Sequence, residues 1–177
     1  MKMMRKFTIK DYLNKKSLIK DPTVRPLSER YLLKAKSNLI TTSLLFDLGL
    51  NAEIRKLLNI PKEYNSDEWV VVSSYYAMYA AALALLAKIG YKSSNHSATI
   101  LAIETFFVKK ELIEHEYLTM LKNAHITQNE VQELSDAKDD REIAQYSVTK
   151  ATTHSLAEVS KDNAFSFVQK VEELLKK

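Results

Sequence analysis

Between Trp69 and Ala87 the chain runs for nineteen residues broken only by Ser73, Ser74 and the hydroxyls of Tyr75, Tyr76 and Tyr79. Asp67 and Glu68 precede this run, and Lys88, Ile89 and Gly90 follow it. A surface helix shows one apolar stripe; a helix that is apolar nearly all round must be enclosed by protein or by lipid. Nineteen residues is close to what a bilayer requires. However, six of them are alanine and the tyrosines stand centrally, whereas membrane tyrosines gather at the interfaces. No other segment is comparably apolar. The expected reading is the central helix of a soluble bundle, with alanines that let its neighbours approach closely, and no membrane partner.

Two glycines and three prolines in 177 residues are too few for a turn-rich sheet protein, and 46% apolar residues is ordinary for a globular fold. The length suits one domain, or one domain with a tail. There is no cysteine, which excludes disulfides and thiolate metal sites. A basic N-terminus is followed by no apolar stretch of the kind a signal peptide needs, so a cytoplasmic location is expected. Residues 1–30 hold nine Lys or Arg against three Asp or Glu, and the remainder of the chain sums to a small negative charge. The basic character therefore belongs to the N-terminal segment, read as a solvated leader without the aromatic interleaving that stacks bases. The expected organisation is a basic extension over residues 1–27 and a helical bundle over 28–177.

Helical spacing of apolar residues and local stop signals place the elements. A short helix is expected over 7–19, and the proline-bearing stretch 20–27 is the expected linker. Ser28 is the expected cap of a helix carrying Tyr31, Leu32, Ala35, Leu39, Leu45 and Leu48, with Gly49 as its stop. Residues 51–58 add two turns. Ser66 caps the central helix and Gly90 closes it. Ser94 or Asn95 opens a helix with Ile100, Leu101, Ile103, Phe106, Phe107 and Val108. A further helix covers about 114–124. The Thr127-to-Glu130 spacing reads as a capping box starting another helix to about Lys150. Ser160 is the expected cap of the last helix. The sum is an all-α antiparallel bundle of about five or six helices.

Little in the chain carries chemistry by local spacing. His96, His115, His125 and His154 share no ligand spacing, and Glu111 with His115 is a single i, i+4 pair, so neither a metal nor a cofactor is expected. Two glycines exclude a glycine-rich phosphate loop, and no elbow motif surrounds Ser73, Ser74, Ser93 or Ser94. Arg141 stands out as the only arginine after Arg55. A guanidinium holds phosphate or carboxylate bidentately, although an ion pair with a neighbouring acid is the plainer use.

The run Tyr75-Tyr76-Ala77-Met78-Tyr79-Ala80-Ala81-Ala82 resembles the core helix of HEPN-domain proteins. The resemblance continues through Leu85-Leu86, Gly90, His96 and the stretch Phe106 to Ile113. Upstream, Tyr31 to Leu39 is similar to the family's opening helix, and Arg141-Glu142-Ile143-Ala144-Gln145-Tyr146 resembles a signature of one prokaryotic branch. Residues 28–175 are covered, and order and spacing together carry the likeness. It implies an antiparallel helical bundle, a homodimer, and RNA or nucleotide as ligand. It also implies a toxin-type, metal-independent ribonuclease partnered with a minimal nucleotidyltransferase antitoxin. In that motif an arginine is followed after four to six residues by a histidine. The arginine stabilises charge on the phosphorane-like transition state and the histidine moves the proton. Here Arg141 matches, but positions 146, 147 and 148 hold Tyr146, Ser147 and Val148. The resemblance thus implies Arg141 and Tyr146 as site residues, while the missing histidine puts cleavage in question. The alternative is a non-catalytic helical dimer acting as a protein-interaction module.

Overall fold

A computed structural model describes residues 7–139 and 153–177, with side chains in the long helix before the gap described to Asn129. Arg141 and Tyr146 lie outside the described residues. The described chain forms seven α-helices and one two-stranded ladder. The helices are α1 (Ile9–Asn14), α2 (Leu27–Leu50), α3 (Ala52–Leu57), α4 (Asp67–Lys88), α5 (His96–Ile103), α6 (His115–Asp139) and α7 (His154–Leu175). The strands β1 (Leu18–Lys20) and β2 (Tyr91–Ser93) pair antiparallel, Leu18 opposite Ser93.

The all-round apolar run is α4, enclosed by α2, α5, α6 and α7. It is long and apolar enough to cross a membrane, yet 72% of its most apolar stretch is buried inside the bundle. All six alanines of the run are buried, as are Val70, Val71, Tyr75, Met78, Leu85 and Leu86. Small side chains let α2 and α7 lie close on either side. The Ser28 hydroxyl donates to the Ala84 carbonyl at 2.9 Å and Thr42 donates to Ser73 at 2.9 Å, so α2 runs antiparallel to α4. Conversely, α7 runs parallel to α4. His154 and Asp67 meet at their N-termini, and Lys88 reaches the Leu175 carbonyl at their C-terminal ends.

Several boundaries differ from the sequence expectation, each for a visible reason. Pro26 takes the N-cap position of α2, while Ser28 spends its hydroxyl on α4. Gly49 is a helical residue of α2; a Cβ there would stand 3.0 Å from Ser66 Oγ, so close approach rather than a stop requires it. Ser66 precedes α4 as expected but makes no capping bond. Gly90, at φ +79°, does end the α4 turn. Asn95 caps α5 through the Ala98 amide at 3.0 Å. The apolar set after it continues in a π-helical turn, Glu104–Val108. There is no helix start at Thr127: α6 runs through it, and the Thr-to-Glu spacing lies mid-helix. The last helix begins six residues before Ser160, capped by Thr153 through the Leu156 amide. From α1 onward the basic leader packs on the bundle, with Leu18 fully buried and the Asp21 amide bonded to the Gly90 carbonyl at 2.8 Å.

Candidate functional site

Tyr75 and Tyr79 stand one turn apart on α4 and face α5 and α6. The β1–β2 ladder delivers the chain to α5, and its start is fixed by Thr99, whose hydroxyl donates to Ser93 Oγ at 2.9 Å and to the Asn95 carbonyl at 3.0 Å. His96, the first residue of α5, is thereby set over the two tyrosines. Its ring lies 4.3 Å from that of Tyr79, near-parallel, and 5.5 Å from that of Tyr75. From the other side α6 supplies His125, with its ring 5.2 Å from His96 at an interplanar angle of 2° and 5.4 Å from Tyr75. Four rings from three helices form one cluster. Tyr75 is fully buried, His96, His125 and Tyr79 are half-buried, and Tyr76 beside them is exposed.

Burial sets the protonation states. It pushes the Tyr75 phenol far above its ordinary pKa, and the neighbouring phenols of Tyr79 and Tyr76 add to this. Tyr79 is also raised by burial, against a hydrogen bond with Thr99 that works the other way. Tyr75 is therefore a donor, and its hydroxyl bonds His96 Nδ1, which places the proton of a neutral His96 on Nε2. Burial lowers the pKa of His96, and His125 lowers it further; burial lowers that of His125. His125 Nδ1 is buried and has no hydrogen-bond partner among the described residues. Lys122, three residues before His125, is held at 3.0 Å by Glu104, so it brings a neutralised charge.

This arrangement offers flat, polarisable rings for stacking and two neutral imidazoles able to take up a proton. Among the described residues no group of three or more His, Asp or Glu is placed to hold a metal ion.

The other two histidines serve elsewhere. His154 Nδ1 is 3.0 Å from Asp67 Oδ1 and stacks on Phe46 at 4.7 Å. The adjoining cavity, about 440 Å³, is also bordered by Arg55, whose Nη2 donates to the carbonyls of Pro61 and Tyr64 at 2.8 and 3.0 Å. These contacts fasten the α3–α4 loop and the start of α7. His115 opens α6 beside Thr119, whereas Glu111 sits before it in a turn at φ +57°, so the two do not share a helix as their spacing suggested. Sequence reading placed His96 at a helix start and left His125 unassigned. What joins them is tertiary; the one local clue is the i, i+4 spacing of Tyr75 and Tyr79.

The fold and this cluster define a helical bundle built on a buried phenol–imidazole group. No family model matches the chain, and no curated protein matches it.

Proposed function

We propose that this is a HEPN-like cytoplasmic protein that binds RNA or a nucleotide, as the toxin-type partner of a minimal nucleotidyltransferase antitoxin. The order and spacing of the sequence motifs and the helical bundle support the reading. The observation that carries it is the ring of His96, stacked on Tyr79 and parallel to His125, with the exposed Tyr76 in ring contact with Tyr75. A base stacks on such a platform, and the imidazole nitrogens read its edge. In this reading Arg141 holds phosphate and Tyr146 lies beside it. Tyr146 stands where the ribonuclease motif has histidine, so the reading commits to binding; a phenol with an ordinary pKa near 10 is a poor proton shuttle at neutral pH.

The test is binding of a fluorescent single-stranded RNA, and of ATP, to the wild-type chain and to Arg141→Ala and His96→Ala. Losing one stacking ring is expected to weaken binding about 5- to 150-fold, the equivalent of about 1–3 kcal/mol per base. Losing Arg141 is expected to weaken RNA binding at every sequence and to lower its salt slope by about one. Wild-type protein that binds neither ligand, or binding indifferent to both substitutions, overturns the reading.

A further inference from the structure

Helices α4 and α7 begin side by side, and the cavity of about 440 Å³ opens against their first turns. Ser66 lines it and is only 1% exposed. This residue stands at the N-cap position of α4, yet its side chain caps nothing, and Oγ has no hydrogen-bond partner among the described residues. A buried hydroxyl left in that state works against folding. Gly49 of α2 faces it: a Cβ there would stand 3.0 Å from Ser66 Oγ and 4.0 Å from Asp67 Oδ1. Gly49 lies inside the helix and not at positive φ, so backbone conformation does not call for glycine. What the bare backbone does is keep the space before the hydroxyl open.

The charges around that space are placed for an anion. Long helices carry positive partial charge at their N-termini, and two of them start here. Arg55, half-buried in the wall, is fixed by its Nη2 bonds to the carbonyls of Pro61 and Tyr64. Carbonyls orient a guanidinium without neutralising it. Lys62 adds an exposed ammonium. Asp67 has its Oδ1 occupied by His154 Nδ1, and Glu63 stands exposed at the rim.

We propose that this cavity binds the carboxylate of a small organic acid, with Ser66 donating to one oxygen and Arg55 and Lys62 balancing its charge. The two cations and the two helix starts favour an anion over a neutral ligand. The two acids limit how much charge it brings, since Glu63 and Asp67 repel a dianion more strongly than a monoanion. The site lies about two turns before Tyr75 on α4. It shares no residue with the His96–His125 cluster, so it stands or falls apart from RNA or nucleotide binding.

The experiment is a proton NMR titration of the full chain with sodium acetate, at constant pH 7 and constant ionic strength. The chain has four histidines, so four imidazole C2–H signals are followed, and that of His154 is identified by its absence in His154→Gln. Because His154 borders the cavity, its signal is expected to shift saturably, with half-saturation below about 10 mM. The signals of His96, His115 and His125 are expected to stay in place. Acetamide, neutral and of similar shape, should leave the His154 signal unmoved, and sulfate should bind at least about tenfold more weakly than acetate. Ser66→Ala is expected to weaken acetate binding about tenfold, and Lys62→Gln about two- to fivefold. Gly49→Ala/Ser66→Ala fills the space as well as removing the donor. It is expected to keep its fold in a thermal melt and still bind acetate at least about tenfold more weakly, which separates a lost site from a lost fold. A His154 signal that does not shift saturably in wild type overturns the proposal. So does acetate binding indifferent to Ser66→Ala and to the double variant, and so does sulfate or acetamide binding as tightly as acetate.

Discussion

Replacing Tyr75 by phenylalanine removes one oxygen from the middle of the bundle and leaves the ring in place. That oxygen donates to His96 Nδ1 from a fully buried side chain. A hydrogen bond of this kind contributes about 1 kcal/mol net, and a buried acceptor left without its donor costs about 1–3 kcal/mol. Because His96 is half-buried, water relieves part of that cost, and about 1–2 kcal/mol is expected for Tyr75→Phe. For a chain of this size the loss corresponds to a fall in Tm of about 3–6 °C. Replacing His96 by phenylalanine keeps the ring that stacks on Tyr79 and deletes the acceptor. Removing both partners in favour of apolar groups of similar shape is close to neutral. The double variant should therefore be more stable than the sum of the singles, with a coupling energy of about 1 kcal/mol. Urea denaturation followed by circular dichroism on wild type, both singles and the double measures this directly. Singles that add within about 0.3 kcal/mol would show that the two groups are not coupled, and the reasoning about the cluster would fall with them.

Two further outcomes follow from the same contacts. Burial lowers the pKa of both His96 and His125, so the unfolded chain binds protons more readily below about pH 6.5. Their contribution is complete above that pH and is lost as pH falls through the lower folded values. Tm should drop between pH 7 and 5, and a His96→Phe/His125→Phe variant should flatten the drop; an unchanged slope refutes it. Glu104, Glu114 and Glu172, held below the usual carboxylate range by hydrogen bonds from lysines, act only at more acid pH. The two glycines should respond with opposite signs. Gly90→Ala meets a left-handed backbone and the Pro22 Cα at 3.2 Å, and should destabilise by about 1–2 kcal/mol. Gly49→Ala combined with Ser66→Ala removes a hydroxyl that has no hydrogen-bond partner among the described residues and fills a helical site, and should stabilise by about 0.5–1 kcal/mol in the same thermal assay. Equal signs at the two sites refute the distinction.

What was legible in the sequence is what depends on local pattern. The run from Trp69 to Ala87 announced a buried helix because apolarity on every side has no other soluble use. Asn51, Asn95 and Gly90 marked boundaries because their caps and turns are made within a few residues. Thr127 misled because Thr-x-x-Glu also fits a helix interior, and only the continuation of α6 decides between the two. Ser28 and Gly49 misled because their partners, Ala84 and Ser66, are remote in sequence. The same limit hid the site. Residues 75, 96 and 125 come from three helices, and nothing in the spacing of His96 and His125 says that their rings lie parallel.

The enclosure of α4 also explains why a polar group sits at its centre at an energetic cost. A phenol in an apolar surround is unfavourable unless bonded. Ser74, on the same helix, has a buried hydroxyl with no hydrogen-bond partner among the described residues. Tyr75 finds one because α5 begins with His96, and α6 then brings a second imidazole whose Nδ1 has no partner among the described residues. A bundle selected for stability alone would reach the same packing with phenylalanine at 75 and at 96, since an apolar pair of that shape is nearly neutral to folding. Stability therefore does not account for the pair, nor for the lone nitrogen on His125. Burying proton-bearing groups together keeps the imidazoles neutral and the phenol protonated near neutral pH. That is the state in which a half-buried imidazole such as His96 keeps an uncharged ring, as the proposed binding mode requires.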